Sequence, residues 1–191
     1  LTTTTWFRRV VSGGACNSLT SNVVTVTIQQ DLTGNTITAA QTICTGDTPS
    51  DLSQSVGVSG GSGSYTYEWQ LSTTGSDSGF ATASGTYTNT TYTTGALTTT
   101  TWYQLWADGG LCSSLGSNVI EITVEDDLGG NIVAAAQTIC SGDTPTPLTE
   151  SSAPTGGSGA YTYQWQSSTD NATYVDIGGE TATGYSPGAL I

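Results

Sequence analysis

The sequence repeats itself at a fixed offset of 96 residues (140 − 44). Four pairs of identical residues share this offset: Cys44 and Cys140, Trp69 and Trp165, Trp6 and Trp102, and Cys16 and Cys112. A period of this length corresponds to one small domain per repeat. Tandem domains of this kind usually build length and surface rather than a single active site.

Two related linkers, at residues 31–35 and 127–131, place the boundaries between repeats. They predict that residues 1–30 are the last two strands of one repeat and that residues 31–127 are a complete repeat. Residues 128–191 are then the first five strands of a further repeat. The two partial repeats are therefore complementary to each other.

Both ends of the chain correspond to the same point of the repeat. Leu1 is the counterpart of Leu97, and after a short deletion in the last repeat so is Leu190. Partial domains left alone would expose open sheet edges and an apolar face. We therefore expect neighbouring copies to complete them, with Cys140 of one copy approaching Cys16 of the next. A continuous polypeptide is favoured over separate subunits that are joined by donated strands.

Short stretches in which apolar and polar residues alternate predict β-strands. The aromatic positions assigned to the core are Tyr65, Tyr67, Trp69, Tyr161, Tyr163 and Trp165. About seven strands are expected in the complete repeat: 36–44, 52–56, 65–72, 80–83, 90–97, 101–107 and 118–125. With glycine-rich turns between them, they predict an all-β fold of tandem antiparallel β-sandwich repeats of about 96 residues. Trp69 lies on the third strand, where an immunoglobulin-like sandwich would place a core tryptophan.

The charge of the chain excludes several classes of partner. Fifteen acidic residues stand against two basic ones, which gives a formal net charge of −13. Nucleic acids and anionic membrane surfaces both require a basic face. No apolar run reaches the roughly 20 residues that cross a bilayer, so membrane insertion is not expected. A composition rich in Thr and Gly is typical of secreted and cell-surface β-proteins, which predicts an extracellular location.

Catalytic groups are scarce in this sequence. It has no histidine, and its two basic residues are Arg8 and Arg9, so a serine or cysteine nucleophile lacks a neighbouring base. The sequence therefore predicts a protein that is not an enzyme and needs no cofactor. Asp31, Asp126 and Asp127 near the linkers raise a weak hypothesis of calcium binding, but solvated linker charge is the favoured interpretation because no acidic calcium loop is present.

The four cysteines occupy two equivalent positions per repeat. Without histidine or a C-x-x-C pair, zinc binding is disfavoured and a disulfide in an oxidising compartment is favoured. Cys44 and Cys112 lie in the complete repeat, and a bond between them would stabilise the fold by roughly 4 kcal/mol. Two free thiols are the alternative. Cys16 and Cys140 are expected to find partners in neighbouring repeats.

Four sequence motifs carry a family resemblance. They are Gln-Thr-Ile-Cys-x-Gly-Asp-Thr-Pro, Gly-Gly-Ser-Gly-x-Tyr-Thr-Tyr-x-Trp-Gln, Gly-Ala-Leu-Thr-Thr-Thr-Thr-Trp-Tyr and Gly-Gly-x-Cys-x-Ser-x-x-Ser-Asn-Val. The chain resembles the immunoglobulin-like repeats of very large Bacteroidetes surface adhesins, including gliding-motility adhesins that the type IX system secretes. The resemblance implies an exported, filamentous or adhesive role and transfers no catalytic residues.

Together these features predict a structural role. The repeats are expected to act as spacers, strung end to end in a surface fibre or adhesin stalk and held by neighbouring repeats or copies. The alternative is a carbohydrate- or protein-binding module that recognises surface glycans or proteins. For that alternative, Phe80, Tyr87 and Tyr92 on the fourth and fifth strands are the aromatic candidates.

Overall fold

The computed structural model describes residues 1–38, 40–134 and 136–191, and its regular elements are β-strands. The strands are β1 Thr5–Phe7, β2 Val10–Val11, β3 Leu19–Thr20, β4 Val24–Val26, β5 Thr36–Ile37, β6 Gln41–Cys44, β7 Leu52–Val56, β8 Thr66–Ser72, β9 Ala81–Thr82, β10 Thr91–Tyr92, β11 Thr101–Asp108, β12 Leu115–Gly116, β13 Ile120–Glu125, β14 Ile132–Val133, β15 Glu150–Ser152, β16 Gln166–Ser167 and β17 Val175–Asp176. This confirms the all-β class. Within the described ranges, no helix has the length and apolarity that crossing a membrane requires.

The chain forms two compact units. One contains Leu1–Gln41, Thr48–Gly95 and Thr100–Ile122, and the other contains Thr42–Asp47, Ala96–Thr99 and Thr123–Ile191. The division passes through the complete repeat. A few residues at one end of that repeat therefore group with the last repeat rather than with the rest of their own.

The complete repeat contains two sheets. One has six strands in the order β6-β13-β11-β8-β9, with β12 against β11, and the other has three strands in the order β10-β7-β5. The longest pairing joins β8 to β11 over seven residue pairs, from Trp102 opposite Ser72 to Asp108 opposite Thr66. Two sheets that enclose one apolar core are the arrangement of a β-sandwich.

The predicted first strand of the repeat is wrong as a single element. Residues 36–44 form two short strands, of which β5 belongs to the three-stranded sheet and β6 to the six-stranded sheet. The predicted strand also spans Ala39, which lies outside the described residues. A strand that changes sheets can hydrogen-bond at both edges of a sandwich, and local alternation of residues does not reveal such a change.

The apolar core lies within the complete repeat. Its buried apolar side chains are Leu32, Ile37, Leu52, Trp69, Ala83, Tyr92, Tyr103, Leu105, Ala107, Ile120 and Ile122. Strand β11 supplies three of them at alternate positions because successive side chains of a strand point to opposite faces. Trp69 lies at its centre, opposite Leu105 in the β8–β11 pairing and stacked on Tyr92 at 5.8 Å between ring centroids.

Two of the aromatic residues predicted for this core lie at its edge instead. Tyr65 precedes β8 and Tyr67 is near its first residue, and both side chains are partly exposed. The Tyr65 hydroxyl donates a hydrogen bond of 2.9 Å to the Gly60 carbonyl. The alternation placed them on the correct face of the strand, but the core does not extend to the end of β8.

Burial of Tyr103 predicts a pH dependence of stability. Desolvation, and secondly the neighbouring Tyr92, raise the pKa of Tyr103 to about 12. The unfolded chain releases this proton near its ordinary pKa of about 10. The stabilisation is therefore fully present below pH ~10 and is lost as the pH rises towards the folded pKa.

We expect Tyr103→Phe to remove on the order of 1 kcal/mol of the stability that the protein loses between pH ~8 and pH ~11. Urea unfolding at the two pH values measures this difference. Tyr87→Phe, at a partly exposed tyrosine, is the matched control. Equal alkaline losses in the Tyr103→Phe variant and the parent protein would contradict the prediction.

Candidate functional site

A cleft of about 580 Å³ lies at the start of the last repeat. Its lining includes Leu128, Asn131, Gly157, Ser158, Tyr161 and Tyr163, and it is bordered by Cys44 and Glu125. The Tyr161 hydroxyl donates to the Gly156 carbonyl at 2.8 Å, which repeats the bond from Tyr65 to Gly60. The cleft is therefore built from the same loop and strand start that border the core in the complete repeat.

The same positions are covered in the complete repeat. Leu32 is only 8% exposed, and a Cβ atom placed on Gly109 would lie 2.5 Å from its Cδ2 atom, so the leucine packs directly against the turn after β11. Its counterpart Leu128 is 74% exposed. The cleft thus corresponds to a surface that a hairpin occupies one repeat earlier.

Asn35 shows how this hairpin is held. Its side-chain amide donates to the carbonyls of Leu105 at 2.8 Å and Leu115 at 2.7 Å, on the two sides of the hairpin. The side-chain oxygen Oδ1 of Asn35 accepts a hydrogen bond of 2.9 Å from the side-chain amide of Gln54. The counterpart Asn131 has nearly the same backbone angle, with φ of 59° against 61° for Asn35, and its side chain is exposed in the cleft.

Residues 1–30 form the same hairpin as residues 97–126. The pairing of Thr5 with Val26 in β1 and β4 reproduces the pairing of Thr101 with Ile122. The Ser21 amide donates to the Arg9 carbonyl at 2.8 Å, just as the Ser117 amide donates to Leu105 at 2.9 Å. The Arg9 backbone amide in turn donates to the Ser21 hydroxyl at 2.9 Å. The Leu105 backbone amide donates to the Ser117 hydroxyl at the same distance of 2.9 Å.

The apolar side of this first hairpin is exposed. Phe7 is 47% exposed and Val24 is 55% exposed, whereas their counterparts Tyr103 and Ile120 are 1% and 5% exposed. The first hairpin and the cleft of the last repeat therefore present the two halves of a core that is closed in the complete repeat.

The last repeat contains half of a core. The Trp165 indole donates to the Ala182 carbonyl at 2.9 Å and its ring lies 5.6 Å from Tyr185, close to the arrangement of Trp69 with Tyr92. Trp165 nevertheless remains partly exposed, as do Tyr161 and Tyr163, so these three residues are not in a core in this structure. The reason is that residues 128–191 contain no counterpart of β11, the strand that covers Trp69.

All four cysteines are free thiols, so the predicted bond between Cys44 and Cys112 is not formed in this structure. The Cys112 sulfur instead lies 3.5 Å from the Gln30 carbonyl and 3.8 Å from the Gln29 side-chain carbonyl oxygen. Cys44 ends β6 and borders the cleft. Cys112 thus contacts the end of the preceding repeat, and Cys44 borders the cleft of the following one.

Two carboxyl groups have displaced pKa values, and both are shifted downwards. Hydrogen bonds from Gln70 and then Thr82 lower the pKa of Glu68. The pKa of Asp170 falls to about 2, chiefly because the backbone amide of Thr173 donates to its carboxylate. A general acid requires the opposite shift, so these groups are suited to remaining charged at the surface.

The linker carboxylates of Asp31, Asp126 and Asp127 are all solvent-exposed. In the part of the chain that the structure describes, no group of three or more His, Cys, Asp or Glu residues is arranged to hold a metal ion. The backbone next to these aspartates instead forms hydrogen bonds to the following repeat. The Asp126 carbonyl accepts a hydrogen bond of 2.7 Å from Gly157, and the Gln30 carbonyl accepts the equivalent bond of 2.8 Å from Gly61.

Sequence reasoning missed the role of Asn35. The only signal was the recurrence of Gly-Asn at residues 34–35 and 130–131, which was interpreted as linker sequence. Asparagine after glycine suits the left-handed backbone that both positions adopt. That signal indicates a special backbone conformation but not a buried amide.

A family model matches nearly the whole chain. A family model described as a domain of unknown function (DUF8696) matches residues 1–30, 33–126 and 129–191. A search of curated proteins and a search of solved structures each found no match. The breaks between the matched segments fall at residues 31–32 and 127–128, inside the two linkers. Because the matches cover nearly the whole chain, this protein belongs to the DUF8696 family.

Proposed function

We propose that this chain is a structural segment of an extracellular surface fibre or adhesin stalk. Its β-sandwich repeats act as spacers, and each partial repeat is completed by strands from a neighbouring repeat or copy. The observation that carries the proposal is the match between the cleft of the last repeat and the exposed hairpin of residues 1–30. Catalysis has no part in this function.

The proposed occupant of the cleft is the first hairpin of a second copy. In the complete repeat, Tyr103 and Ile120 on the equivalent hairpin are buried against the sandwich. Burying a side chain such as Phe7 or Val24 contributes about 1.5–3 kcal/mol, so several such positions together favour association. The Asn131 amide would donate to backbone carbonyls of the incoming hairpin, as the Asn35 amide donates to those of Leu105 and Leu115.

The acidic composition supports an exposed, solvated role. A net charge of −13 disfavours aggregation, because repulsion between like charges keeps closely spaced repeats in solution. It also fits a surface of Thr, Ser and Gly rather than a basic binding face. The extracellular location and the gliding-adhesin resemblance remain part of this proposal.

Association between copies tests the proposal. Sedimentation velocity of the reduced chain should show self-association that increases with protein concentration. Leu128→Asp and Phe7→Asp should each weaken it at least about tenfold, because an aspartate at either position would be buried without a partner. Tyr87→Asp is the matched control, since this tyrosine is 36% exposed on the complete repeat and belongs to neither the hairpin nor the cleft.

A parent chain that stays monomeric at every concentration would refute completion by a second copy. Equal weakening by Tyr87→Asp would show that the association is unspecific and would count against the cleft. Far-ultraviolet circular dichroism of each variant checks that the complete repeat is still folded.

The alternative, an adhesive binding module, draws on exposed aromatic surface. Trp106 and Tyr87 are each more than a third exposed, whereas Tyr92 is buried with its hydroxyl donating to the Ser84 carbonyl at 3.0 Å. Tyr92 is therefore not available for recognition. A glycan array with the intact chain decides between the functions: binding that Trp106→Ala abolishes supports the module, and no binding leaves the spacer role.

A further inference from the structure

The turn cysteine of a repeat contacts the repeat that precedes it. The sulfur of Cys112 lies 3.5 Å from the carbonyl of Gln30, the last residue before the complete repeat. The turn is fixed there because the Ser62 amide donates to the Gly109 carbonyl at 2.9 Å and the Gly61 amide donates to Gln30 at 2.8 Å. The position of this thiol is therefore set by backbone hydrogen bonds.

The strand cysteine borders the cleft of the repeat that follows its own. Cys44 ends β6, and the next amide, that of Thr45, donates to the Glu125 carbonyl at 2.8 Å. Cys44 and Glu125 together border the cleft of the following repeat. Glu125 is the counterpart of Gln29 (125 − 29 = 96), the residue whose side chain lies 3.8 Å from the Cys112 sulfur.

The surroundings of Cys112 and of Cys44 are equivalent parts of the joint between two consecutive repeats. The cleft is lined by Gly157 and Ser158, the counterparts of the two loop residues that hold the turn of the complete repeat. The Gly157 amide donates to the Asp126 carbonyl at 2.7 Å, as Gly61 does to Gln30. A hairpin that fills the cleft in the same way would place its turn cysteine beside Glu125, where Cys44 already lies.

We propose that the strand cysteine of each repeat forms a disulfide with the turn cysteine of the repeat that follows. In an assembly of copies, Cys44 of one copy bonds Cys16 of the next, and Cys140 of one copy bonds Cys112 of the next. This inference rests on the proposed function and specifies how the joints between repeats are covalently closed. It replaces both pairings expected from the sequence, Cys44 with Cys112 and Cys140 with Cys16.

The proposal accounts for the four free thiols. Cys44 and Cys140 each require the turn cysteine of the repeat after their own, and neither of those turns lies within residues 1–191. Cys112 requires the strand cysteine of the repeat to which residues 1–30 belong, and Cys16 requires that of the repeat before it; neither strand lies within residues 1–191. No complementary pair therefore occurs within one copy.

The chemistry is thiol–disulfide exchange with a small-molecule disulfide such as oxidised glutathione. One cysteine thiolate attacks the glutathione disulfide, forming a mixed disulfide and releasing one reduced glutathione. The second cysteine thiolate attacks the protein sulfur of that mixed disulfide and releases the second glutathione. Two protein thiols are oxidised, one glutathione disulfide is reduced to two thiols, and the two protons pass to the released glutathione.

Four double variants of the full chain separate the possible pairings. Cys112→Ser/Cys140→Ser keeps Cys16 and Cys44, and Cys16→Ser/Cys44→Ser keeps the other proposed pair. Cys16→Ser/Cys140→Ser and Cys44→Ser/Cys112→Ser keep the two pairs that the proposal replaces. Each protein is incubated at high concentration with oxidised and reduced glutathione and then run on non-reducing gels.

The first two variants should form covalent oligomers that a reducing agent converts back to monomers. The last two variants should form no covalent oligomers. Peptide mapping of the parent protein should recover the Cys44–Cys16 and Cys140–Cys112 cross-links. Oligomers in the variant that keeps Cys16 and Cys140, or an intramolecular bond in the one that keeps Cys44 and Cys112, would overturn the proposal.

A variant with all four cysteines replaced by serine separates this inference from the proposed function. If that variant still self-associates in sedimentation while the parent protein forms no covalent oligomers, the disulfide pairing fails and completion by a second copy stands. If neither association nor cross-linking occurs, both fail. Folding of every variant is checked by the circular dichroism of the complete repeat.

Discussion

Replacing Trp69 with alanine should lower the free energy of unfolding of the complete repeat by about 3–5 kcal/mol. The side chain is fully buried and stacks on Tyr92. Its indole nitrogen donates to the Asn89 carbonyl at 2.8 Å, so the substitution removes core volume and also leaves this carbonyl without a donor. Urea unfolding followed by circular dichroism measures the loss.

Trp165→Ala is the matched control for this prediction. The indole of Trp165 makes the equivalent hydrogen bond, to the Ala182 carbonyl, but its ring is partly exposed. At low protein concentration the control should therefore cost much less than Trp69→Ala. At concentrations where copies associate, its effect should increase, because the ring is then covered. Equal losses for the two substitutions at low concentration would show that β11 does not provide the stabilisation attributed to it.

Replacing Asn35 with alanine should destabilise the complete repeat by about 2–4 kcal/mol. The substitution leaves the buried carbonyls of Leu105 and Leu115 without their donor and the Gln54 amide without its acceptor. It also places alanine at a φ of 61°, a left-handed conformation that asparagine tolerates and that costs roughly 1–2 kcal/mol for other residues with a Cβ atom.

Asn35→Gly separates the two contributions, because glycine tolerates the left-handed backbone and lacks only the side-chain hydrogen bonds. We expect it to recover about 1 kcal/mol of the loss in urea unfolding. Asn131→Ala, at the exposed counterpart, should leave the stability of the complete repeat unchanged to within about 0.5 kcal/mol. Full stability in the Asn35→Gly variant would mean that the hydrogen bonds to the hairpin contribute nothing.

Regular strands were the most predictable part of this fold. The alternation around residues 101–107 predicted β11, which the structure extends by one residue to Thr101–Asp108, and β7 has the predicted bounds Leu52–Val56. Period-two alternation is a local property, so the sequence carries it directly. The change of sheet between β5 and β6, and the short strand β12, depend on which partners are in reach and have no local signal.

The proposed interface between copies was partly predictable for a related reason. The 96-residue offset indicated that the first and last segments complement each other, because it relates equivalent positions without any structural knowledge. It could not decide between cysteine pairings, since every repeat carries the same two cysteines. Asn35 was also out of reach, because its amide contacts carbonyls 70 and 80 positions further along the chain.

The hydrogen bond across each joint has a consequence for how such a protein can evolve. Gly61 to Gln30 and Gly157 to Asp126 join consecutive repeats through backbone atoms alone. A Cβ atom on Gly60 or Gly156 would lie 2.2 Å or 2.1 Å from the preceding aspartate carbonyl, so the glycine is required at both joints. Unequal recombination that adds or removes one whole period in the gene therefore creates a joint that already fits, whatever side chains have diverged. A chain that gains or loses one period would keep these backbone hydrogen bonds as long as it keeps the glycine codons.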